Sequence, residues 1–323
     1  MTINKDSGKK PVPMIIDCDP GHDDMVAIMT AHAAADIDLL GITTVAGNQT
    51  GEKTFLNARR VLSLINAGGV PLARGSDRPL TRALQVAGDI HGESGLDGAD
   101  LPAPREQVSS LHAIDLMAEL IGKSDRPVTL VPTGPLTNIA LFLRRYPELA
   151  SGVSEIVLMG GGVVESNVTP AAEFNIYVDP EAADIVFNSG LPLTMVGLDV
   201  TNRAMLDLDD IAKLKTAGGP VSRIVGDLLA FFASTYESVF GIAGAPLHDA
   251  LAVVVAAAPD IVSSRDLHVA IETKGDHTVG RTVVDVYGVT GKAPNASVAL
   301  DVDTARFRSI MFDVFSDLDT LHS

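Results

Sequence analysis

Four carboxylates fall within eight residues near the start of the chain, in Asp17-Cys18-Asp19-Pro20-Gly21-His22-Asp23-Asp24. Ionised carboxylates packed that densely repel one another, and a cation or partial protonation must offset the repulsion. All-oxygen donors favour Ca2+ or Mg2+ over zinc, so the stretch reads as a site for a hard cation. The apolar segment 12–16 before it reads as a strand, and Met25-Val26-Ala27-Ile28-Met29 after it as the start of a helix. Alternation along a strand puts Asp17 and Asp19 on one face and Cys18 on the other. Pro20-Gly21 suits a tight turn. Asp23 and Asp24 then stand at a helix N-terminus, where backbone N–H groups favour negative charge. Capping accounts for that pair but not for all four.

Other candidate groups are ordinary when taken singly. Glu173-Phe174-Asn175 follows Ser166-Asn167-Val168-Thr169-Pro170 in a loop without periodicity, where Asn and Glu suit solvated turns. His248-Asp249 follows Pro246, and Asp249 suits the N-cap of a helix over 250–258. His91 lies in the Gly-rich segment 79–104, long enough to be a functional or mobile loop. Cys18 on a buried strand reads as inert core. Gly160-Gly161-Gly162 has the flexibility of a phosphate cradle but lacks a following Lys-Ser/Thr. There is no Gly-x-Ser-x-Gly elbow and no zinc-type cysteine pair.

The elements that must carry these residues alternate. Strand-like segments at 39–45, 70–73, 128–131, 156–159 and 193–198 are interleaved with helical patterns at 52–67, 111–121, 136–146, 179–188, 208–215, 221–240 and 250–258. Segments 269–272, 282–287 and 297–302 read as an antiparallel strand group, and 304–318 as a closing helix. This rhythm predicts an α/β fold: one domain over 1–323, a largely parallel central sheet and helices on both sides. Asp19, Asn48, Thr133, Met159 and Asp199 each fall at or just past a strand's C-terminal end, the edge where open α/β sheets bind ligands.

Composition narrows the partners. The chain has 323 residues, 46% hydrophobic, with a net charge of −17. That charge argues against nucleic acid and against anionic membranes. No apolar run reaches membrane-spanning length. A single cysteine excludes an intramolecular disulfide and fits a cytoplasmic location. The polar residues 1–11 lack the apolar core of a signal peptide.

The Asp17–Asp24 block resembles the N-terminal signature of the nucleoside hydrolases, the inosine–uridine-preferring N-ribohydrolases. Val45-Ala-Gly-Asn48, Val131-Pro-Thr-Gly-Pro-Leu-Thr-Asn138, Met159-Gly-Gly-Gly162, Glu173-Phe-Asn175 and Pro246-Leu-His-Asp249 resemble the family's other blocks, in order. Thr282-Val-Val-Asp285 and Pro294-Asn295 extend the likeness over nearly the whole chain. The resemblance implies a Rossmann-like core and calcium-dependent cleavage of a ribonucleoside to ribose and free base. It implies a Ca2+ site at Asp19, Asp24, Asp249 and the Thr133 carbonyl, with the ribose hydroxyls joining as ligands. Asp23 would be the general base and His248 an acid near the leaving base. Asn48, Asn167, Glu173 and Asn175 would hold the ribose beside Met159, with Asp17 supporting them and His91 closing over the ribose.

Tyr236 and Phe240 would wall the base. Pyrimidine-specific members tend to carry Gln and Tyr at those two places. Tyr236 with His248 therefore suits the broad or inosine/uridine-preferring branch. A homodimer or homotetramer is also implied. Two rivals remain: a Mg2+ phosphatase of the haloacid-dehalogenase type using Asp17-x-Asp19, and a non-catalytic calcium- or nucleoside-binding protein. The first expects a Thr soon after Asp19, where Pro20-Gly21-His22 stands.

Overall fold

Segment 12–16 is apolar on both faces, and a strand of that kind is stable only when helices cover both sides of its sheet. A computed structural model of the chain describes residue 3 and residues 10–105 and 108–321. Most of the polar segment 1–11 lies outside these. In chain order the first half contains β1 (Val12–Cys18), α1 (His22–Ala33), β2 (Ile37–Thr44), α2 (Gly51–Leu64), β3 (Leu72–Arg74), α3 (Gly88–His91), α4 (Ala113–Lys123), β4 (Val128–Pro132), α5 (Thr137–Arg145) and β5 (Val153–Met159). Then come α6 (Phe174–Val178), α7 (Pro180–Phe187), β6 (Leu193–Val196), α8 (Leu198–Thr201), β7 (Met205–Leu206), α9 (Leu208–Ala217) and α10 (Pro220–Phe240). The chain finishes with β8 (Ala245–Pro246), α11 (His248–Ala257), β9 (Val262–Leu267), β10 (Val269–Ile271), β11 (Thr282–Val284), β12 (Ala296–Val302) and α12 (Thr304–Leu321).

Eight strands form the main sheet in the order β3-β2-β1-β4-β5-β6-β12-β9. Every neighbouring pair is parallel except β12–β9. Alternate β1 residues feed two cores. Met14, Ile16 and Cys18 pack with α1, α10, α11 and α12, and Ile15 packs with α4, α5 and α7. The predicted α/β fold with helices on both faces is therefore the observed one. α1 and α11 are buried on nearly every side, which explains the near absence of polar residues beyond their first turns.

Local chemistry sets several boundaries. Asp179 accepts from the Ala182 N–H and Pro180 opens α7, as expected. α10 ends at Gly241, whose φ of 71° is a left-handed cap.

Four expectations need correction. The predicted antiparallel group is not one unit. β10 and β11 pair alone, while β12 joins the main sheet beside β6 and β9. β9 escaped notice because Ser263 to Asp266 are exposed and polar, as an edge strand tolerates. The strand expected to reach Leu198 stops at Val196, and Leu198 starts the helical turn α8. Helix α11 begins at His248, one residue before Asp249, so Asp249 is not its cap. The supposed loop at 173–175 is the start of α6, capped by the Glu173 side chain.

Candidate active site

The strand order reverses direction between β1 and β4: β1 to β3 run outward one way and β4 to β6 the other. The loops leaving these strands diverge, and a crevice opens at the C-terminal edge. Asp17 ties its two sides together. Its Oδ1 accepts from Thr43 Oγ1 on β2 at 2.7 Å and from Asn138 Nδ2 on α5 at 2.8 Å. Asp17 is buried and does not line the cavity that lies above the carboxylates, which does not favour it as a phosphatase-type nucleophile.

Asp24 is the best-satisfied carboxylate. It accepts from the backbone N–H groups of Asp19 and Gly21, from Thr133 Oγ1 and from Asn48 Nδ2, at 2.9–3.2 Å. Asp19 Oδ2 accepts from the Asn48 N–H at 2.6 Å, and its Oδ1 is buried without a partner. Asp23 Oδ1 is orphaned too. Carboxylate oxygens of Asp23, Asp24 and Asp249 lie within 4.8 Å of one another. Asp19 lies outside that trio. A methyl group on Gly47 would sit 2.1 Å from Asp19 Oδ2, and one on Gly134 would sit 2.5 Å from Asp19 Oδ1. Both glycines are there because Asp19 fills the space.

No Lys or Arg pairs with these carboxylates among the described residues. Burial and mutual repulsion therefore drive them all towards the protonated form. Asp23 is raised to about 8 by burial and then by the Asp24 charge, and Asp17 to about 7 by burial. Asp19 is held well above its ordinary value by burial and by Asp24. Asp249 is raised likewise by burial and by Asp23, Asp24 and Asp19. Orphaned buried oxygens, an all-oxygen donor set and uncompensated negative charge together fit a hard divalent cation.

Above the carboxylates lies a cavity of about 260 Å³. Its polar residues include Asp23, Asn48, Thr133, Glu173, Asn175 and Asp249. Asn175 Nδ2 donates to the Thr133 carbonyl at 2.7 Å and to the Met159 carbonyl at 3.2 Å. Glu173 accepts from the N–H groups of Gly161, Asn175 and Ile176 and is raised to about 7 by burial. Asn167 Oδ1 holds the Phe174 N–H. The glycine triplet binds no phosphate through Gly161 and Gly162, whose N–H groups are already taken by Glu173 and Thr282.

The rest of the wall is apolar and aromatic. The Tyr236 and Phe240 rings meet at a tilt of 48° with centroids 4.6 Å apart, and Phe232 meets Tyr236 edge-on at 5.5 Å. These three sit four residues apart on α10, so one helix face presents them all. Phe232 was legible from that spacing and was missed. His248 Nε2 lies 3.2 Å from the Tyr236 hydroxyl, and burial lowers the ring to about 4. His91 is buried: it accepts the His22 N–H at its Nδ1 and stacks on Phe232. Segment 79–104 is thus built against α1 and α10, and it adds Gln85, Val86, Asp89 and Ile90 to the wall. Nothing in the sequence pattern marks those four.

The fold therefore gathers nearly every candidate residue around one cavity. Asp17, Asp19 and Asp24 lie beneath it. Asp199 is the exception. It holds the Val163, Val164 and Glu165 N–H groups and does not line the cavity.

A model of the family described as inosine-uridine preferring nucleoside hydrolase matches residues 14–309. The pyrimidine-specific ribonucleoside hydrolase RihA of Shewanella sp. strain ANA-3 is 49% identical over 302 residues, 93% of this chain and 95% of that one. RihA of Escherichia coli O1:K1 is 48% identical over 303 residues, 94% of this chain and 97% of that one. Among solved structures, a purine-preferring ribonucleoside hydrolase from Gardnerella vaginalis superposes with a TM-score of 0.89 at 32% identity. It covers 95% of this chain and 99% of that one. The plant nucleoside hydrolase PpNRh1 superposes with a TM-score of 0.87 at 28% identity, covering 95% and 99%.

Proposed function

The chain belongs to the inosine-uridine preferring nucleoside hydrolase family and is a ribonucleoside hydrolase, and from that premise we propose that it is calcium-dependent, uses Asp23 as its general base and prefers pyrimidine ribonucleosides. The observation that carries the mechanism is the mixed lining of one cavity. Carboxylates and amides suited to a polyol and aromatic side chains suited to a base face the same space.

Asp19, Asp24, Asp249 and the Thr133 carbonyl would hold the ion, and Asp23, which stands in the same carboxylate trio, would border it. When bound, calcium would supply the positive charge that lets these carboxylates ionise together and would anchor the ribose hydroxyls. Asn48, Asn167, Glu173 and Asn175 orient the ribose beside Met159, and His91 covers it. As the C1′–N bond stretches, ribose gains oxocarbenium character that the surrounding carboxylates and amide oxygens stabilise. Asp23 takes a proton from the attacking water, and His248 supplies one to the leaving base. The base sits among Tyr236, Phe240 and Phe232.

Base preference is read from the relatives. Tyr236 and Phe240 taken alone suggest the broad branch, but the curated relatives near 49% identity are named pyrimidine-specific. The purine-preferring structure is more distant, at 32%. A homodimer or homotetramer, and a cytoplasmic location, belong to the same proposal. No helix of the described residues is long and apolar enough to cross a membrane.

The test is ribose release from uridine, cytidine, inosine and adenosine, each with calcium and after chelation. Faster release from uridine and cytidine, abolished by chelation and restored by calcium, is expected. Chelator-insensitive turnover removes the metal, and inosine as the best substrate removes the pyrimidine preference. Tight binding without turnover returns the protein to the binding-protein class.

A further inference from the structure

Thr201 is fully buried, closes the helical turn α8 and does not line the cavity. Its Oγ1 nevertheless lies 2.8 Å from His248 Nδ1. Across the ring, His248 Nε2 faces the Tyr236 hydroxyl at 3.2 Å, and that hydroxyl lies 3.4 Å from Asn202 Oδ1. A helical threonine commonly spends its hydroxyl on the carbonyl four residues back. Thr201 spends it on the imidazole.

We propose that Thr201 is a positioning residue for protonation of the leaving base: its hydroxyl holds His248 Nδ1 so that Nε2 stays turned towards Tyr236 and the nucleobase. This rests on the reading of His248 as the proton donor. An imidazole offers two nitrogens, and the bond at one decides what the other presents. The ring torsion is broad and roughly two-fold, so packing alone does not choose between them. Thr201 is a firm anchor. Leu198 and Val200 of the same turn are fully buried, and Asp199 ties the turn to Val163 and Val164.

The protons and electrons balance. The C1′–N bond breaks and its electron pair stays on the base. The step starts from the doubly protonated ring, a minor form that burial disfavours, with its Nδ1–H on Thr201; the Nε2 proton passes to the base, and the ring is left as neutral imidazole. Water forms the new bond to C1′ and loses its proton to Asp23, which returns a proton to the ring through solvent.

The test compares Thr201→Val, Thr201→Ser and His248→Ala with wild type on uridine and on 4-nitrophenyl β-D-ribofuranoside. The phenolate of the second substrate leaves without needing a proton. Thr201→Val should lower kcat on uridine by about 10- to 100-fold, a fraction of the span of general-acid catalysis. KM should stay within about threefold, the loss on the phenyl riboside should be much smaller, and Thr201→Ser should recover most of the rate. An equal loss on both substrates, no loss on uridine, or no recovery with serine overturns the proposal. His248→Ala separates it from its premise. If that variant is impaired on uridine and Thr201→Val is not, only the role of Thr201 falls. If His248→Ala is unimpaired on uridine, the donor assignment falls first.

Discussion

Stripping divalent cations should make this protein lose stability as pH rises from 7.0 to 8.5. Asp17 and Asp23 are raised to about 7 and about 8, mainly by burial, and Asp19 and Asp249 are raised in the same direction. A carboxyl whose folded pKa exceeds its unfolded value, about 3.9, keeps its proton in the folded chain and has lost it in the unfolded one. Its contribution is complete below pH ~4 and is lost as pH climbs through the folded pKa. His22 and His248 work the other way. Burial lowers each to about 4, so they favour folding as pH rises towards about 6.5, their unfolded value. A window starting at pH 7 leaves the carboxylates dominant. One proton's difference is about 1.4 kcal/mol per pH unit. Counting a single proton for the whole cluster gives about 2 kcal/mol across the window. At roughly 2–4 °C per kcal/mol for large domains, Tm should fall by about 4–8 °C. Thermal melts in chelator at pH 7.0, 7.5, 8.0 and 8.5 measure this. Calcium requires the ionised ligands, so the Tm gain on adding it should grow with pH. A chelated Tm that is flat or rising over the window, or a calcium-induced gain equal at both ends, refutes the reasoning.

Asp24→Ala should lose calcium binding by calorimetry and turnover together, because four donors now satisfied by one carboxylate lose their acceptor. Asp23→Asn should bind uridine with nearly unchanged affinity while kcat drops about 10²- to 10⁴-fold, and a fully active variant would end the base assignment. Gly47→Ala should cut activity at least about tenfold with the far-UV spectrum intact, since the new methyl displaces Asp19 from its contact with Asn48. 2′-Deoxyuridine should be a poorer substrate than uridine by about 10³-fold or more in kcat/KM, because its missing hydroxyl leaves buried partners unpaired.

The sequence was most readable where one residue type has one job. The Asp17–Asp24 block, the parallel strands and the capped α7 follow from alternation, turn chemistry and capping. Glu173 and His248 became meaningful only through the resemblance, since a loop glutamate and a pre-helical histidine have adequate ordinary explanations. Three features stayed hidden for physical reasons. β9 lies at an edge and lacks the apolar pattern of a strand. Gln85, Val86 and Asp89 reach the cavity by tertiary placement of an aperiodic segment. Thr201 and Asn138 act through hydrogen bonds to residues 47 and 121 positions away, a distance at which no local pattern operates.

The polar and the aromatic linings of the cavity come from different parts of the chain. Met159 ends β5, Asp19 and Thr133 directly follow β1 and β4, and Asn48 lies in the loop after β2, so all four hang on one hydrogen-bonded sheet. Most of the aromatic lining is lent by α10 and by the segment around α3, which meets α1 through His22, His91 and Phe232. Substitutions there leave the sheet untouched. On the proposed function, a lineage built on this scaffold can exchange one nucleobase for another by drift along a single helix face and one loop, while the machinery that cleaves the glycosidic bond is inherited intact. Relatives bearing pyrimidine-specific and purine-preferring names on one fold are what such a division of labour would leave behind.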